Sequence, residues 1–553
     1  MKFVDHLGLT DEQEDYVSSA GDAVLLACPG SGKTAACSRR FIARCQRDPP
    51  YGIAYVSYTN AAVDEALNRI IYLSGIAYNI APNFIGTLDG FCTRFIFLPF
   101  IEAVVPEVPG DITIFDVPPP QLRRGGFTVY NGTMPFPAYD VRFRIINGAP
   151  GFYEGKASHS TSVDLAKKYR AAKAAYLQAG FASHNDILYW CSQILKRSPR
   201  VAKIIATRFG EIIVDEAQDT SPPQQEILRI LQQAGSQVSP VGDPDQSIYQ
   251  FNDAHPAYLR DEHASSANKH SLSINHRSSS QIVGVVNAHF GAAMRARFST
   301  VRRDAVFVVV GPPEECIREF ERLIVDAGID PATIAVLIRD RATVDRLCGG
   351  YSVHSTMNDG VKRIVIGIQA LESGDLQKAL ASSEGFLRAI LEDAPERDRN
   401  QWRPLAWRFL RSYLPVPGDE TYEQWIQRLR DAAKRFSESQ SMTLLPNLNQ
   451  KLTAKGFPKG ESALQLVGKR ASKLRTTTIH ETKGESIAAV LLYDTDKQHA
   501  AWRARKGDEA HCLSYVAMTR AERLLVLGCE SSASTKHWLD VGARVATLDA
   551  APH

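Results

Sequence analysis

Cysteine is scarce and unpaired in this chain: nine are scattered over 553 residues, with no CxxC spacing and an odd total. That argues against a disulfide framework and against a cysteine-bound metal or iron–sulfur site. No apolar run approaches membrane-spanning length, and Met1-Lys2-Phe3-Val4-Asp5 does not open a signal peptide. The expected location is therefore cytoplasmic, with no membrane partner. An excess of one charge is lacking too, since 64 Lys and Arg stand against 61 Asp and Glu, a net charge of +3. A globally basic nucleic-acid binder is excluded, so any DNA-binding surface has to be a local groove. What remains is an ordinary globular composition, 44% hydrophobic and 23% charged, on a chain long enough for about three to four domains.

One stretch organises the rest. Val24-Leu25-Leu26-Ala27 predicts a buried strand, Cys28-Pro29-Gly30-Ser31-Gly32 a glycine-rich turn, and Lys33-Thr34-Ala35 the opening of a helix. This pattern makes a phosphate-binding loop. Backbone N–H groups of the turn and of the helix start point at a β-phosphate. Lys33 reaches the β- and γ-phosphates, and the Thr34 hydroxyl suits Mg²⁺. Gly30 and Gly32 let the backbone come close. Ala27 takes the place of the usual first glycine. Upstream, Thr10 or Asp11 caps a first helix, and Gln13 carries an amide that suits either an adenine edge or solvent.

Further strand ends follow. Ala54 to Ser57 leads into Tyr58-Thr59-Asn60 and a helix from Ala61, and Phe84-Ile85-Gly86 leads into Thr87. Aromatic and hydroxyl residues at strand carboxyl ends can stack bases and hold phosphates, or serve as core and turn. From about Phe95 to Ser160 the chain is rich in Pro, Gly and β-formers, which predicts a small β-containing insertion. Helical pattern returns from Val163 to about Ile205. Glu211-Ile212-Ile213-Val214 then runs into Asp215-Glu216. Asp215 is placed to hold Mg²⁺ and Glu216 to take a proton from an attacking water. Pro240 to Gly242 predicts another strand ending near Gln246, the candidate γ-phosphate sensor, with Tyr249 or Phe251 beyond it as a base contact.

Taken in order, these motifs resemble the UvrD/Rep branch of superfamily 1 helicases. The resemblance continues through Leu272-Ser273-Ile274-Asn275-His276-Arg277, through Thr477-Thr478-Ile479-His480-Glu481-Thr482-Lys483-Gly484-Glu485, and through Ser514-Tyr515-Val516-Ala517-Met518-Thr519-Arg520-Ala521. It implies an α/β fold of two RecA-like parallel-sheet domains, 1A over 1–95 and 206–272 and 2A over 273–366 and 475–553. Each carries an inserted subdomain, a mixed α/β 1B over 96–205 and a helical 2B over 367–474. Apolar runs at Val306–Val310, Ile334–Ile338, Val490–Leu492 and Leu524–Leu527 fit the second sheet. Stripes through Trp402 and Phe409, and through Trp425 and Phe436, predict a helical core, with Arg428, Arg430, Lys434 and Arg435 as a solvated face or a DNA contact.

The resemblance also implies ATP and Mg²⁺ between the two domains, with Arg277 and Arg520 as arginine fingers. His276 stands where the family has a stacking Tyr, Phe251 where it has a Trp, and Glu485 one position early for the ribose contact. The implied DNA contacts are Tyr58, Thr59, Asn60, Thr87, Phe251, Thr478 and His480. The implied function is ATP-dependent 3′→5′ translocation on single-stranded or tailed duplex DNA. The alternative is a nucleotide-sensing regulatory subunit of a nuclease complex, because small UvrD-like proteins resemble the helicase subunit of Gabija-type antiphage systems, which act with an OLD-family nuclease.

Overall fold

The computed structural model describes residues 8–47, 50–75, 81–115, 122, 127–132, 134–146, 149–154, 160–248, 257–297, 305–339, 343–344, 347, 359–372, 376–392, 399–415, 417–454, 462–463, 474–494, 508–530 and 535–546. Its frame is a pair of six-stranded sheets. The first is built from β1 (Val24–Ala27), β2 (Gly52–Ser57), β3 (Phe84–Thr87), β4 (Phe209–Val214), β5 (Gln237–Gly242) and β6 (Lys269–Leu272). They lie side by side in the order β6-β1-β5-β4-β2-β3, every pair parallel.

A parallel sheet covered on both faces needs strands that are apolar on both sides. Here successive residues enter alternate cores. Ala54, Val56, Ile212 and Val214 belong to one apolar cluster, and Ile53, Tyr55 and Ile213 to the other. The chain between β3 and β4 adds to the first of these cores. Phe143 and Phe152, from the paired strands Val141–Ile146 and Ala149–Glu154, pack with Tyr189 and Trp190 of helix His184–Arg197 in the same cluster as Val56. The expected insertion is thus continuous with the sheet core.

The second sheet comprises β7 (Val306–Val310), β8 (Ile334–Ile338), β9 (Thr476–Thr478), β10 (Ile487–Asp494), β11 (Ala521–Cys529) and β12 (Arg544–Val545), in the order β9-β8-β10-β11-β7-β12, again all parallel. The same alternation holds: Leu337, Val490 and Leu525 face one core, and Val336, Leu491 and Val526 the other. Between β8 and β9 run the helices Asp359–Glu372, Leu376–Ile390, Arg399–Ser412 and Tyr422–Ser439. They close around their own core, in which Trp402, Phe409, Trp425 and Phe436 are fully buried. Both aromatic stripes are therefore core. No helix among the described residues is long and apolar enough to cross a membrane.

Candidate nucleotide site

The loop after β1 turns through two left-handed glycines, Gly30 at φ 68° and Gly32 at φ 78°. A Cβ on Gly30 would stand 2.6 Å from the Cβ of Arg277, so glycine is required twice over, by the turn and by this close approach. Helix Lys33–Cys45 starts immediately after Gly32, and no side chain caps it. Its first N–H groups are left for an anion. Ahead of the loop, Thr10 caps helix Asp11–Ser18 in a capping box with Gln13. The Gln13 amide accepts from Thr10 N at 3.0 Å and donates to the Ser31 carbonyl at 2.8 Å, tying the first helix to the loop. Cys28 and Pro29 form the near wall, where the Asn275 amide donates to the Pro29 carbonyl at 2.8 Å. Ala27 ends β1, and Ala35 is buried in the first turn of the helix.

Carboxylates arrive from the end of β4. The Lys33 ammonium lies 3.0 Å from Asp215 and 2.5 Å from Glu216. The Thr34 hydroxyl faces the second Asp215 oxygen at 3.5 Å, and the Tyr55 hydroxyl donates to that oxygen at 2.7 Å. Glu216 sits in the left-handed region at φ 56°, a conformation unusual for a side-chain-bearing residue and common at functional sites. Burial opposes charge on Glu216, but Lys33 and Lys483 outweigh it and hold the carboxyl at about 2. Burial likewise opposes charge on Lys33, and Asp215 with Glu216 more than restores it, leaving the ammonium firmly protonated.

Oxygen ligands are what Mg²⁺ takes, through one or two carboxylates plus substrate phosphates. The Thr34–Asp215 pair fits that need. Among the described residues no group of three or more His, Cys, Asp or Glu is arranged to hold a metal on its own.

The other wall comes from the second sheet. Arg520 is fully enclosed and donates to the Gln246 side-chain oxygen at 2.8 Å and to the Glu485 carbonyl at 3.1 Å. Burial and then the neighbouring Arg277 depress its pKa to about 9. Arg277 donates to the Thr519 carbonyl at 3.1 Å, and burial lowers its pKa as well. Two guanidiniums held together in a dry site present charge that an incoming phosphate would neutralise. The His276 backbone N–H donates to the Gly30 carbonyl at 2.8 Å. The Glu485 carboxylate pairs with Arg475 near the surface, at 2.6 and 2.9 Å, so its backbone, and not its side chain, meets Arg520.

Several residues of the site carry no motif reading of their own. Lys483 pairs with Asp219 and donates to the Gln246 carbonyl at 3.0 Å. Gln218 donates to Glu216, and its oxygen accepts from Asp243 N at 3.1 Å. Asp243 in turn holds the Gln246 amide at 2.8 Å. Burial and Asp245 raise the Asp243 carboxyl to about 7. A polar residue directly after an apolar run was the available signal for Asp243, and a lone lysine before a glycine for Lys483.

The candidate DNA contacts gather at carboxyl ends of strands. Tyr58, Thr59 and Asn60 follow β2, Thr87 ends β3, and Ser57 and Thr87 are register partners. Thr59 and Thr87 also cap the helices Asn60–Ser74 and Leu88–Cys92, accepting from Ala62 N at 3.2 Å and Gly90 N at 3.0 Å. On the other sheet Thr478 ends β9, and His480 opens the turn behind it. Tyr249 and Phe251 lie outside the described residues.

Against known proteins, residues 9–112 and 144–265 match the family model described as UvrD/REP helicase N-terminal domain. Curated relatives include an ATP-dependent helicase/nuclease subunit of Carboxydothermus hydrogenoformans, 34% identical over 143 residues, 26% of this chain and 12% of that protein. DNA helicase II of Escherichia coli is 28% identical over 296 residues, 51% of this chain and 40% of that one. The Gabija protein GajB of Bacillus cereus is 26% identical over 269 residues, 48% and 46% respectively. This chain thus spans less than half the length of each of these relatives. The order of strands, the loop and the paired carboxylates agree with that match, and over these residues the chain is similar to UvrD/Rep-like helicases.

Proposed function

We propose that the chain is an ATP-driven motor that moves 3′→5′ on single-stranded DNA, with the two RecA-like domains and two inserted subdomains set out above. The observation that carries it is the meeting of Lys33, Asp215, Glu216, Gln246, Arg277 and Arg520 around one glycine-rich turn, with groups from both sheets. On this reading the triphosphate draws Lys33 away from the carboxylates. Glu216 owes much of its low pKa to Lys33. Losing that partner raises its basicity toward what a general base needs. Thr34 and Asp215 would hold Mg²⁺, which neutralises charge on the phosphates. Gln246 would sense the γ-phosphate and report it to Arg520, to which it is bonded. Gln13 and His276 would meet the nucleoside. Tyr58, Thr59, Asn60, Thr87, Thr478 and His480 would track the DNA strand.

The test is hydrolysis with and without single-stranded DNA. Single strands should stimulate turnover far more than blunt duplex, and rising salt should weaken binding. Lys33→Ala and Glu216→Gln should each abolish turnover, with Glu216→Gln still binding ATP. Equal stimulation by both DNAs, or normal turnover in either variant, overturns the motor reading.

The match to the Gabija protein GajB and to a helicase/nuclease subunit supports a second reading. In it the chain is a regulatory subunit whose nucleotide state controls a nuclease partner in antiphage defence. Nucleotide-dependent hydrolysis without strand separation is its signature.

A further inference from the structure

A groove with an aliphatic floor and a cationic rim lies between the helices Pro199–Arg208 and Pro222–Gln233, at the end of helix His184–Arg197. Its volume is about 550 Å³. Leu195, Ala202, Ile230 and Ala234 line the floor, where the core on one face of the first sheet comes to the surface. The lining carries three cations, Lys196, Lys203 and Arg229, and one carboxylate, Glu226. That carboxylate is already engaged, lying 3.0 Å from both Lys196 and Arg229. Burial opposes its charge, but Lys196 and Arg229 outweigh burial and lower its pKa. Lys203 donates to the Ala234 carbonyl at 3.2 Å and makes no ion pair among the described residues. Arg197 and Arg200 flank Lys196 and Pro199 in the chain; both are exposed, and neither meets a carboxylate among the described residues. Five cations against one acid leave an excess of four, on a chain whose whole net charge is +3. One turn on from Arg200, Ile204 is 46% exposed.

We propose that this groove is a docking surface for an acidic amphipathic helix of a partner protein, whose apolar stripe covers the floor and whose carboxylates meet the rim. Its place in the fold suits a partner that stays bound while the nucleotide site works. Helix Pro199–Arg208 runs into Phe209, the first residue of β4, and Ser236, two residues past Ala234, donates from its hydroxyl to the Phe209 carbonyl at 2.9 Å. The groove therefore lies toward the amino-terminal edge of the first sheet. The phosphate loop, Glu216 and the candidate DNA contacts stand at the carboxyl ends of strands, so a segment docked in the groove leaves them free. The chemistry favours protein over nucleic acid. Single strands are held by cations together with aromatic rings that stack bases. Among the described residues the lining holds no aromatic ring. An aliphatic floor instead suits the i, i+4 stripe of an amphipathic helix. Carboxylates on the flanks of that helix complement the uncompensated cations, which fixes its orientation and speeds encounter. A translocating motor and a regulatory subunit could both carry such a partner.

The experiment titrates the full chain with labelled helical peptides of about five turns, followed by fluorescence anisotropy. One peptide carries a leucine stripe flanked by glutamates. A second has lysine in place of glutamate, and a third keeps the glutamates but has serine in place of leucine. The first should bind, the second should not, and the third should bind at least about 10-fold more weakly than the first. Lys203→Glu with Arg229→Glu should weaken the first peptide at least about 10-fold, because it sets like charges face to face. Arg200→Glu should weaken it by a smaller factor. All three positions are exposed and stand away from the phosphate loop, so the variants should keep DNA-stimulated hydrolysis within about two-fold of wild type. Saturating single-stranded DNA should leave the peptide bound. Failure of the first peptide to bind overturns the proposal, as does equal binding by either control peptide or to the double variant. Displacement of the peptide by single-stranded DNA would make this face part of the nucleic-acid track and overturn it as well.

Discussion

Arg520 shows how a single residue is readied for one task. It is enclosed, its pKa is depressed by burial and by Arg277, and its main side-chain partner is the amide of Gln246. A neutral amide does not compensate a buried guanidinium as a phosphate would. Its interaction should therefore strengthen as charge develops on a transferring phosphoryl group. Arg277→Ala and Arg520→Ala are expected to bind ATP within a few-fold of wild type and to turn it over at least about 100-fold more slowly. Single-turnover hydrolysis beside nucleotide titration separates the two effects, and lost affinity with normal turnover would place both arginines in ground-state binding. Glu216 gives a pH prediction. Its folded value is about 2 against an ordinary 4.5, so its contribution to stability is complete above about 4.5 and fades as pH falls toward 2. Glu216→Gln should accordingly melt below wild type at pH 7, and the gap should close as pH falls from about 4.5 toward 2. A gap that stays constant with pH would mean that the ion pair with Lys33 contributes no net stability.

Helix Asp11–Ser18 carries Gln13 to the loop, on the side of the site proposed to meet the nucleoside, and it is short. Eight residues are too few to be stable alone. Three devices hold it. Its capping box joins Thr10 to Gln13, Glu12 reaches Ser273 and Arg295, and the buried Arg40 ties its end down by donating to the Tyr16 carbonyl at 2.8 Å and to Ser19 and Gly21. Thr10→Ala should cost about 1 kcal/mol of stability through the lost cap. It should also weaken ATP more than tripolyphosphate, because the Gln13 backbone N–H loses its acceptor and the first turn that carries the Gln13 side chain to the loop loosens. Calorimetry and competition binding check the two parts. Part of this element was legible: Thr10 stood beside Asp11 as a candidate cap, whereas Gln13, read as an amide for an adenine edge or solvent, turns back to close a capping box with Thr10. Arg40 was not, because a basic residue inside a helix normally faces solvent, and only the fold brings Glu211 within 2.8 Å of it. The same limit applies to the sheets. Apolar runs located the strands, and the carboxyl-end rule placed Gln246 near the loop. Neither exposes Asp219 with Lys483, which lie 264 residues apart and meet only when the two sheets come together.

At the scale of the molecule, a motor needs nucleotide state at one sheet to be felt at the other. Among the described contacts, Lys483 and Arg520 reach from the second-sheet segments to Asp219 and Gln246 beside the first. Asp219 is buried, and burial lifts its carboxyl to about 6 in spite of Lys483. Removing the lysine therefore leaves a buried carboxyl without its ion-pair partner and with only the field of Lys33 to offset its charge, a change that typically costs up to about 3–5 kcal/mol when the group stays ionised and less when it takes up a proton. Lys483→Met alone should be destabilised and should lose stimulation by DNA, two effects that one variant cannot separate. The pair Lys483→Met with Asp219→Asn removes the stranded charge. It should regain most of the lost melting temperature and still bind ATP, yet hydrolyse it without response to single-stranded DNA. If the double variant regains stimulation along with stability, Lys483 is only a structural partner of Asp219. Strand separation then divides the two functional readings. A motor unwinds a 3′-tailed duplex in proportion to ATP consumed, and the double variant should lose unwinding while basal hydrolysis persists. A regulator shows stimulated hydrolysis in the wild type with no unwinding to lose, so the ratio of base pairs separated to ATP hydrolysed, measured for both proteins on the same substrate, decides between them.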